Sequence, residues 1–156
     1  AWMIKDYQEI VAVASGLLAE SKLTPELKNE AYYYRAKALL AEGQSKEAVN
    51  DLSVLSKDTR NVYGAEAKYL LAQLYFDAGQ TDKAEKEVLD YIEVSTPHAY
   101  WLARSFVLLS DVYMKLGRNL DAKQYLLSLQ QNYQADDDIA GMIETRLAKL
   151  NKGSKQ

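Results

Sequence analysis

The chain has 156 residues, of which 48% are hydrophobic and 26% are charged, and its formal net charge is −3. This length suffices for one domain with a sizeable core, and the small net charge argues against nucleic acid or an anionic membrane surface as a partner. The sequence contains no cysteine, which excludes disulfides and thiolate chemistry, and no apolar run of transmembrane length.

The first predicted element is an amphipathic helix over residues 4–20. It reads as the second helix of a hairpin whose first helix is missing, so residues 1–23 are predicted to be the second helix of a truncated upstream repeat. The whole chain is therefore expected to be the C-terminal fragment of a larger protein. The open apolar side of this helix, together with Trp2 and Met3, is expected to cause self-association.

Three glycines then recur at spacings of 36 and 38 residues, and an alanine follows each glycine five positions later. These pairs are Gly43 and Ala48, Gly79 and Ala84, and Gly117 and Ala122. A period of this size indicates stacked supersecondary units. Each glycine is predicted to close one helix in the left-handed conformation. The residue two positions after each glycine is predicted to cap the next helix: Ser45, Thr81 and Asn119.

Threonine–proline pairs mark two further helix starts, because proline is favoured at the first helical position after a capping residue. The pairs are Thr24-Pro25 and Thr96-Pro97. Near the C-terminus, Asp136, Asp137 and Asp138 are predicted to introduce a last helix that ends near Leu150.

The three hairpins resemble the tetratricopeptide repeat family, whose pattern places small and leucine-like residues at fixed positions of the first helix. The small position, seven residues before each glycine, holds Ala36, Ala72 and Ser110. The leucine-like position holds Arg35, Leu71 and Leu109. Leu71 and Leu109 are expected to be buried between hairpins. Arg35 departs from the pattern, and its charge is expected to reach water while its stem covers apolar surface.

The resemblance implies an all-α fold, a right-handed α-solenoid of antiparallel helix hairpins. The predicted domains after residues 1–23 are repeats at 24–60, 61–97 and 98–134, a capping helix at 135–150 and a polar tail at 151–156. The period exceeds the family's 34 residues, and such long, divergent repeats are similar to those of bacterial envelope-associated tetratricopeptide proteins. That similarity favours a periplasmic or envelope location, although the residues themselves leave the location unknown.

The sequence offers no candidate for catalysis or for metal binding. Its one histidine, His98, follows a proline and has no marked nucleophile as a companion. The acidic run at 136–138 lacks the alternating ligand spacing of a calcium loop. No enzyme activity, no cofactor and no metal site is therefore predicted.

The resemblance also implies a concave groove lined by the first helix of each repeat. The predicted groove residues are Tyr33, Lys37 and Leu40 in the first repeat, Tyr69, Gln73 and Phe76 in the second, and Arg104, Asp111 and Met114 in the third. Large aromatic and methionine side chains suit peptide contacts. Tyr33, Tyr69 and Phe76 are expected on one continuous surface, and with Met114 they are the expected anchors. The competing interpretation is that these side chains pack against neighbouring hairpins and the last helix.

The favoured function is a non-catalytic protein–protein interaction scaffold that binds a peptide or helix in this groove. One alternative is a structural spacer or cap of a solenoid whose binding site lies upstream, and another is an accessory domain of a larger enzyme. The family's clamp for chaperone C-termini uses lysine and asparagine on this groove. The matching positions here supply one cation, Lys37, and a repelling carboxylate, Asp111, so a chaperone-tail receptor is not predicted.

Overall fold

The computed structural model describes residues 6–94 and 96–153, and this part of the chain contains eight α-helices and no β-strand. The helices are α1 (Tyr7–Leu18), α2 (Pro25–Ala41), α3 (Ser45–Leu55), α4 (Val62–Asp77), α5 (Thr81–Glu93), α6 (Ala99–Lys115), α7 (Asn119–Asn132) and α8 (Ile139–Gly153). The predicted all-α helical-repeat class is confirmed.

The chain divides into two compact units, Ala1–Leu71 and Ala72–Gln156, and the boundary falls within α4. In the first unit, α2 packs against both α1 and α3. In the second unit, α6 is the central helix, because it packs against α5, α7 and α8.

The three glycine turns have the predicted conformation, with φ angles of 77° at Gly43, 78° at Gly79 and 77° at Gly117. In each turn the residue after the glycine donates its backbone N–H to a carbonyl five residues earlier, as Gln44 does to Leu39 at 2.8 Å. The carbonyl of that same residue accepts the first bond of the next helix, from Ala48 at 3.2 Å. One residue therefore closes one helix and starts the next.

This double role explains why the predicted N-caps of α3, α5 and α7 are wrong. The cap residues are Gln44, Gln80 and Arg118, and none of them makes a side-chain capping bond. Ser45, Thr81 and Asn119 are instead the first residues of the three helices. The tight turn leaves no residue between the glycine and the cap position, so the cap falls one residue earlier than composition suggests.

The two threonine–proline pairs behave differently. Thr24 caps α2 as predicted, because its hydroxyl accepts a hydrogen bond from the Leu27 N–H at 3.3 Å and proline occupies the first turn. Thr96 instead accepts from the His98 N–H at 3.2 Å, and α6 begins only at Ala99. The predicted start of α6 at Pro97 is wrong by two residues, because this local turn precedes the helix.

The small positions of the repeat pattern and two of its three leucine-like positions are buried in the core. Leu71 and Leu109 are buried, and so are the small residues and the alanines that follow the glycines: Ala36, Ala48, Ala72, Ala84, Ser110 and Ala122. Residues without long side chains let helix backbones approach closely, so these positions allow tight helix contacts within each unit.

Arg35 corrects one sequence-based prediction. Its guanidinium donates two hydrogen bonds to the Asp51 carboxylate, at 2.6 and 2.8 Å, and a third to the Ser15 hydroxyl at 3.1 Å. Asp51 is only 2% exposed. The charge of Arg35 thus turns inward and joins α1, α2 and α3, although 24% of its side chain stays exposed, because the buried carboxylate of α3 needs a cation.

The helices at the two ends differ in how they are covered. Helix α1 is capped by Asp6 and buries Ile10 and Ala14, while Tyr7 and Val13 remain exposed. Trp2 and Met3, which were expected to extend its apolar side, lie outside the described residues. Helix α8 follows the acidic run as predicted, but it ends at Gly153 rather than near Leu150, so it includes the first residues of the predicted polar tail.

Candidate functional site

The second unit contains an open cleft of about 500 Å³ between the end of α4, the last turns of α6 and helix α8. We call it the α8 cleft. Its lining residues are Phe76, Asp111, Met114, Lys115, Thr145, Arg146 and Lys149. Three of the predicted groove residues, Phe76, Asp111 and Met114, therefore come together in one place.

Helix α8 is held in position by its apolar face. Ile139 and Ile143, one helical turn apart, are buried in a cluster with Val107 of α6. Leu126 and Leu129 of α7 belong to the same cluster. This packing covers Val107 and places the next turns of α8 beside the cleft.

An ion pair joins the two walls of the cleft. The Arg146 guanidinium donates to both carboxylate oxygens of Asp111, at 2.8 and 2.9 Å, and also to the Met142 carbonyl at 3.2 Å. Two parallel bonds fix the geometry of a guanidinium–carboxylate pair. The charge of Asp111 is thereby neutralised by the chain itself.

Two further cations line the cleft, Lys115 at the end of α6 and Lys149 on α8. Both are exposed, and neither forms an ion pair within residues 6–94 and 96–153. With Asp111 and Arg146 paired, the lining keeps an excess of two positive charges. These cations were not predicted, because the repeat pattern does not say which helix packs beside the end of α6.

The other predicted groove residues of the second unit lie outside this cleft. Arg104 donates to the Tyr100 hydroxyl at 3.2 Å and lies 3.9 Å from the Asp138 carboxylate. The Tyr100 hydroxyl itself donates to Asp138 at 2.9 Å. Arg104 thus ties α6 to the segment that precedes α8, whereas Gln73 donates to Asp77 on its own helix at 2.8 Å.

In the first unit, the predicted groove residues Tyr33 and Lys37 share one acceptor. The Tyr33 hydroxyl and the Lys37 ammonium each donate to Glu66 at 2.8 Å, and Glu66 is only 8% exposed. Tyr69 is 6% exposed and Leu40 is half-buried. Tyr33 and Lys37 are thus committed to contacts within the unit, and Tyr69 presents little area to a partner.

Burial and neighbouring carboxylates disfavour ionisation of several tyrosines. Burial and then the hydrogen bond to Glu66 raise the pKa of Tyr33. Burial, followed by Glu85, raises the pKa of Tyr113 to about 12, and burial, followed by Asp137, raises the pKa of Tyr133 to about 12. The neutral phenol is the form that these sites stabilise.

We expect the raised pKa values of these tyrosines to appear in an alkaline titration. The pKa of a tyrosine in the unfolded chain is about 10. The contribution of these tyrosines to the stability of the fold is therefore fully present below pH about 10, and it is lost as the pH rises towards 12. Tyrosinate absorbance at pH about 11 should be lower in the native protein than in the urea-unfolded protein. Tyr113→Phe should shrink the late-ionising fraction. Equal tyrosinate in native and unfolded protein would contradict the assignment.

A second, smaller cavity of about 320 Å³ lies between α6 and α7. Its aromatic lining consists of Phe106, Tyr113 and Tyr125. The ring centroid of Tyr125 lies 6.0 Å from that of Phe106 and 5.5 Å from that of Tyr113. Arg118 covers the Tyr113 ring at 4.3 Å and pairs with Asp121 at 2.8 Å. The charged side chains that line this cavity thus have partners within the protein, so the cavity offers less to a polar ligand than the α8 cleft does.

Among the described residues there is no cluster of three or more metal-ligating side chains. The helices found in that same part of the chain are all too short or too polar to cross a membrane.

Comparison with known proteins agrees with the repeat geometry. Residues 65–96 and 103–132 match the tetratricopeptide repeat family model. Each matched segment takes in a glycine turn, at Gly79 and at Gly117, with most of the helix before it and all of the helix after it. No curated protein and no solved structure matches the chain. The two matched repeats support the tetratricopeptide family and, in general terms, a protein–protein interaction scaffold, since such repeats are typically non-catalytic interaction modules.

Proposed function

We propose that the chain is a non-catalytic interaction scaffold that holds a peptide or helix of its partner in the α8 cleft. The observation that supports this proposal most is the lining of the cleft, where Phe76 and Met114 supply apolar area beside a charged rim. An apolar centre with a polar rim is the usual anatomy of a protein interface. Binding along all three first helices stays a prediction from the sequence.

The test compares partner capture by single variants. Phe76→Ala and Met114→Ala should each weaken a partner by about 2 kcal/mol if they are hot spots, which is roughly a 30-fold loss of affinity. Leu120→Ala, at a leucine that is 71% exposed and outside the cleft, is the matched control. Native partners would be captured from the source cells and the affinities measured by titration. Equal capture by wild type and both cleft variants would count against the cleft.

A structural cap is the second candidate, and one observation favours it. Helix α8 packs on Val107 and pairs with Asp111, so the chain itself occupies one of the predicted groove residues of the last repeat. A cap should contribute stability rather than recognition. Ile143→Ala should then lower the unfolding free energy by about 2–5 kcal/mol, while Phe76→Ala leaves every captured partner unchanged.

We also propose that the chain self-associates through α1. Tyr7 is 46% exposed and Val13 is 40% exposed on this helix, and exposed apolar side chains favour association. Sedimentation should show a mass that increases with protein concentration. Val13→Glu should reduce the effect, and Val54→Glu on α3, at a similarly exposed valine, is the control. A monomer at every concentration would rule out this contact.

A further inference from the structure

We propose that the α8 cleft selects a peptide segment in which carboxylates flank a large apolar side chain. This inference rests on the proposed function and specifies the chemistry of the partner. It follows from the charge of the cleft, from its apolar residues and from the way in which its one carboxylate is neutralised.

The charge of the cleft is opposite in sign to that of the chain. Lys115 and Lys149 have no ion-pair partner in the described part of the protein, although the chain as a whole has a net charge of −3. A lysine ammonium is a compact point charge on a flexible stem, so it accommodates carboxylates that approach from different directions. Two lysines lining the same cleft therefore favour a partner segment with acidic side chains.

The apolar residues set the second requirement. Phe76 and Met114 line the same cleft as the lysines. Phenylalanine offers a flat apolar surface, and methionine adapts its shape to the side chain that it contacts. The volume of about 500 Å³ falls in the range of ligand pockets, which suits a short stretch of peptide. An acidic segment without a large apolar side chain would leave this surface uncovered.

The Asp111–Arg146 pair removes an obstacle to anionic ligands. An unpaired Asp111 would repel a carboxylate, but its two oxygens already accept hydrogen bonds from Arg146. The cations that remain stand at the end of α6 and on α8. They lie outside the first-helix positions through which some tetratricopeptide proteins clamp chaperone C-termini, so the recognition proposed here depends on the C-terminal helix.

A displayed library of random dodecapeptides provides the probe. The full chain would be immobilised as wild type, as Lys115→Glu/Lys149→Glu, as Phe76→Ala and as the control Lys86→Glu/Lys123→Glu. The control makes the same charge change at two exposed lysines outside the cleft. Helical content and the melting temperature of each variant would be checked by circular dichroism.

Wild type and the control should enrich peptides with Asp or Glu within two positions of Leu, Phe or Met. A synthetic peptide from that pool should lose about tenfold or more in affinity towards Lys115→Glu/Lys149→Glu, and its affinity for wild type should fall as salt rises, since salt screens exposed charges. If the same peptide binds Phe76→Ala more weakly than wild type, the peptide binds in the α8 cleft.

The two proposals fail in different ways. If the enriched peptides lose affinity for Phe76→Ala but carry no excess of acidic residues, the charge-based selectivity is wrong and the interaction site stands. If they bind Phe76→Ala as tightly as wild type, or if no peptide is enriched, both the selectivity and the cleft as a peptide site are wrong.

Discussion

Arg35→Leu is expected to lower the unfolding free energy by about 3 kcal/mol, even though leucine is the residue that the repeat pattern favours at this position. The substitution leaves the Asp51 carboxylate, which is 2% exposed, without the cation that donates two hydrogen bonds to it. A buried carboxylate without a partner is among the most destabilising single defects in a folded protein. Urea denaturation followed by circular dichroism measures the loss.

The double variant Arg35→Leu/Asp51→Leu distinguishes the effect of losing the Arg35–Asp51 ion pair from the effect of changed packing. Replacing both charges by apolar side chains removes the unpaired carboxylate, so most of the lost stability should return. Lys28→Leu, at an exposed lysine on the same helix, is the control and should change stability by no more than about 0.5 kcal/mol. If the double variant were less stable than Arg35→Leu, the pair would not be the cause of the defect.

Leu71→Ala is expected to cost about 2–5 kcal/mol, because Leu71 is buried and its removal leaves a cavity. Ala84→Leu should cost roughly 1–3 kcal/mol by overpacking, since Ala84 has no exposed surface. Leu89→Ala, at a leucine that is partly exposed on α5, is the matched control and should cost less than either. Unmoved denaturation midpoints for both core variants would show that the repeat register is wrong.

The fold was predictable because its determinants are local and periodic. Each glycine needs only its own turn to adopt the left-handed conformation, and each buried alanine repeats at a fixed distance from a glycine. Arg35 shows the limit of this reasoning. The repeat pattern predicts the position of Arg35 in its helix. It does not predict the carboxylate partner, because Asp51 lies on α3, sixteen residues later, at a position that the pattern does not specify.

The candidate site was predictable only in part, for the same reason. Phe76, Asp111 and Met114 follow from the repeat pattern, and the structure brings them together. Lys149 and Arg146 belong to α8, which lies outside the repeats, and the contact between Arg146 and Asp111 spans thirty-five residues. Periodicity carries no information about such a pairing, because only the packed helix decides which side chains meet.

The residue after each turn glycine, which ends one helix and begins the next, also limits where the chain can change its length. An inserted residue at Gln44 would separate the bond to Leu39 from the bond that Ala48 makes, and both helix ends would lose their closure. The helices that follow the turns already differ in length, with 11, 13 and 14 residues in α3, α5 and α7. Insertions and deletions in this protein should therefore accumulate at the far ends of the hairpins, and a hairpin transplanted into another repeat protein should be joined there.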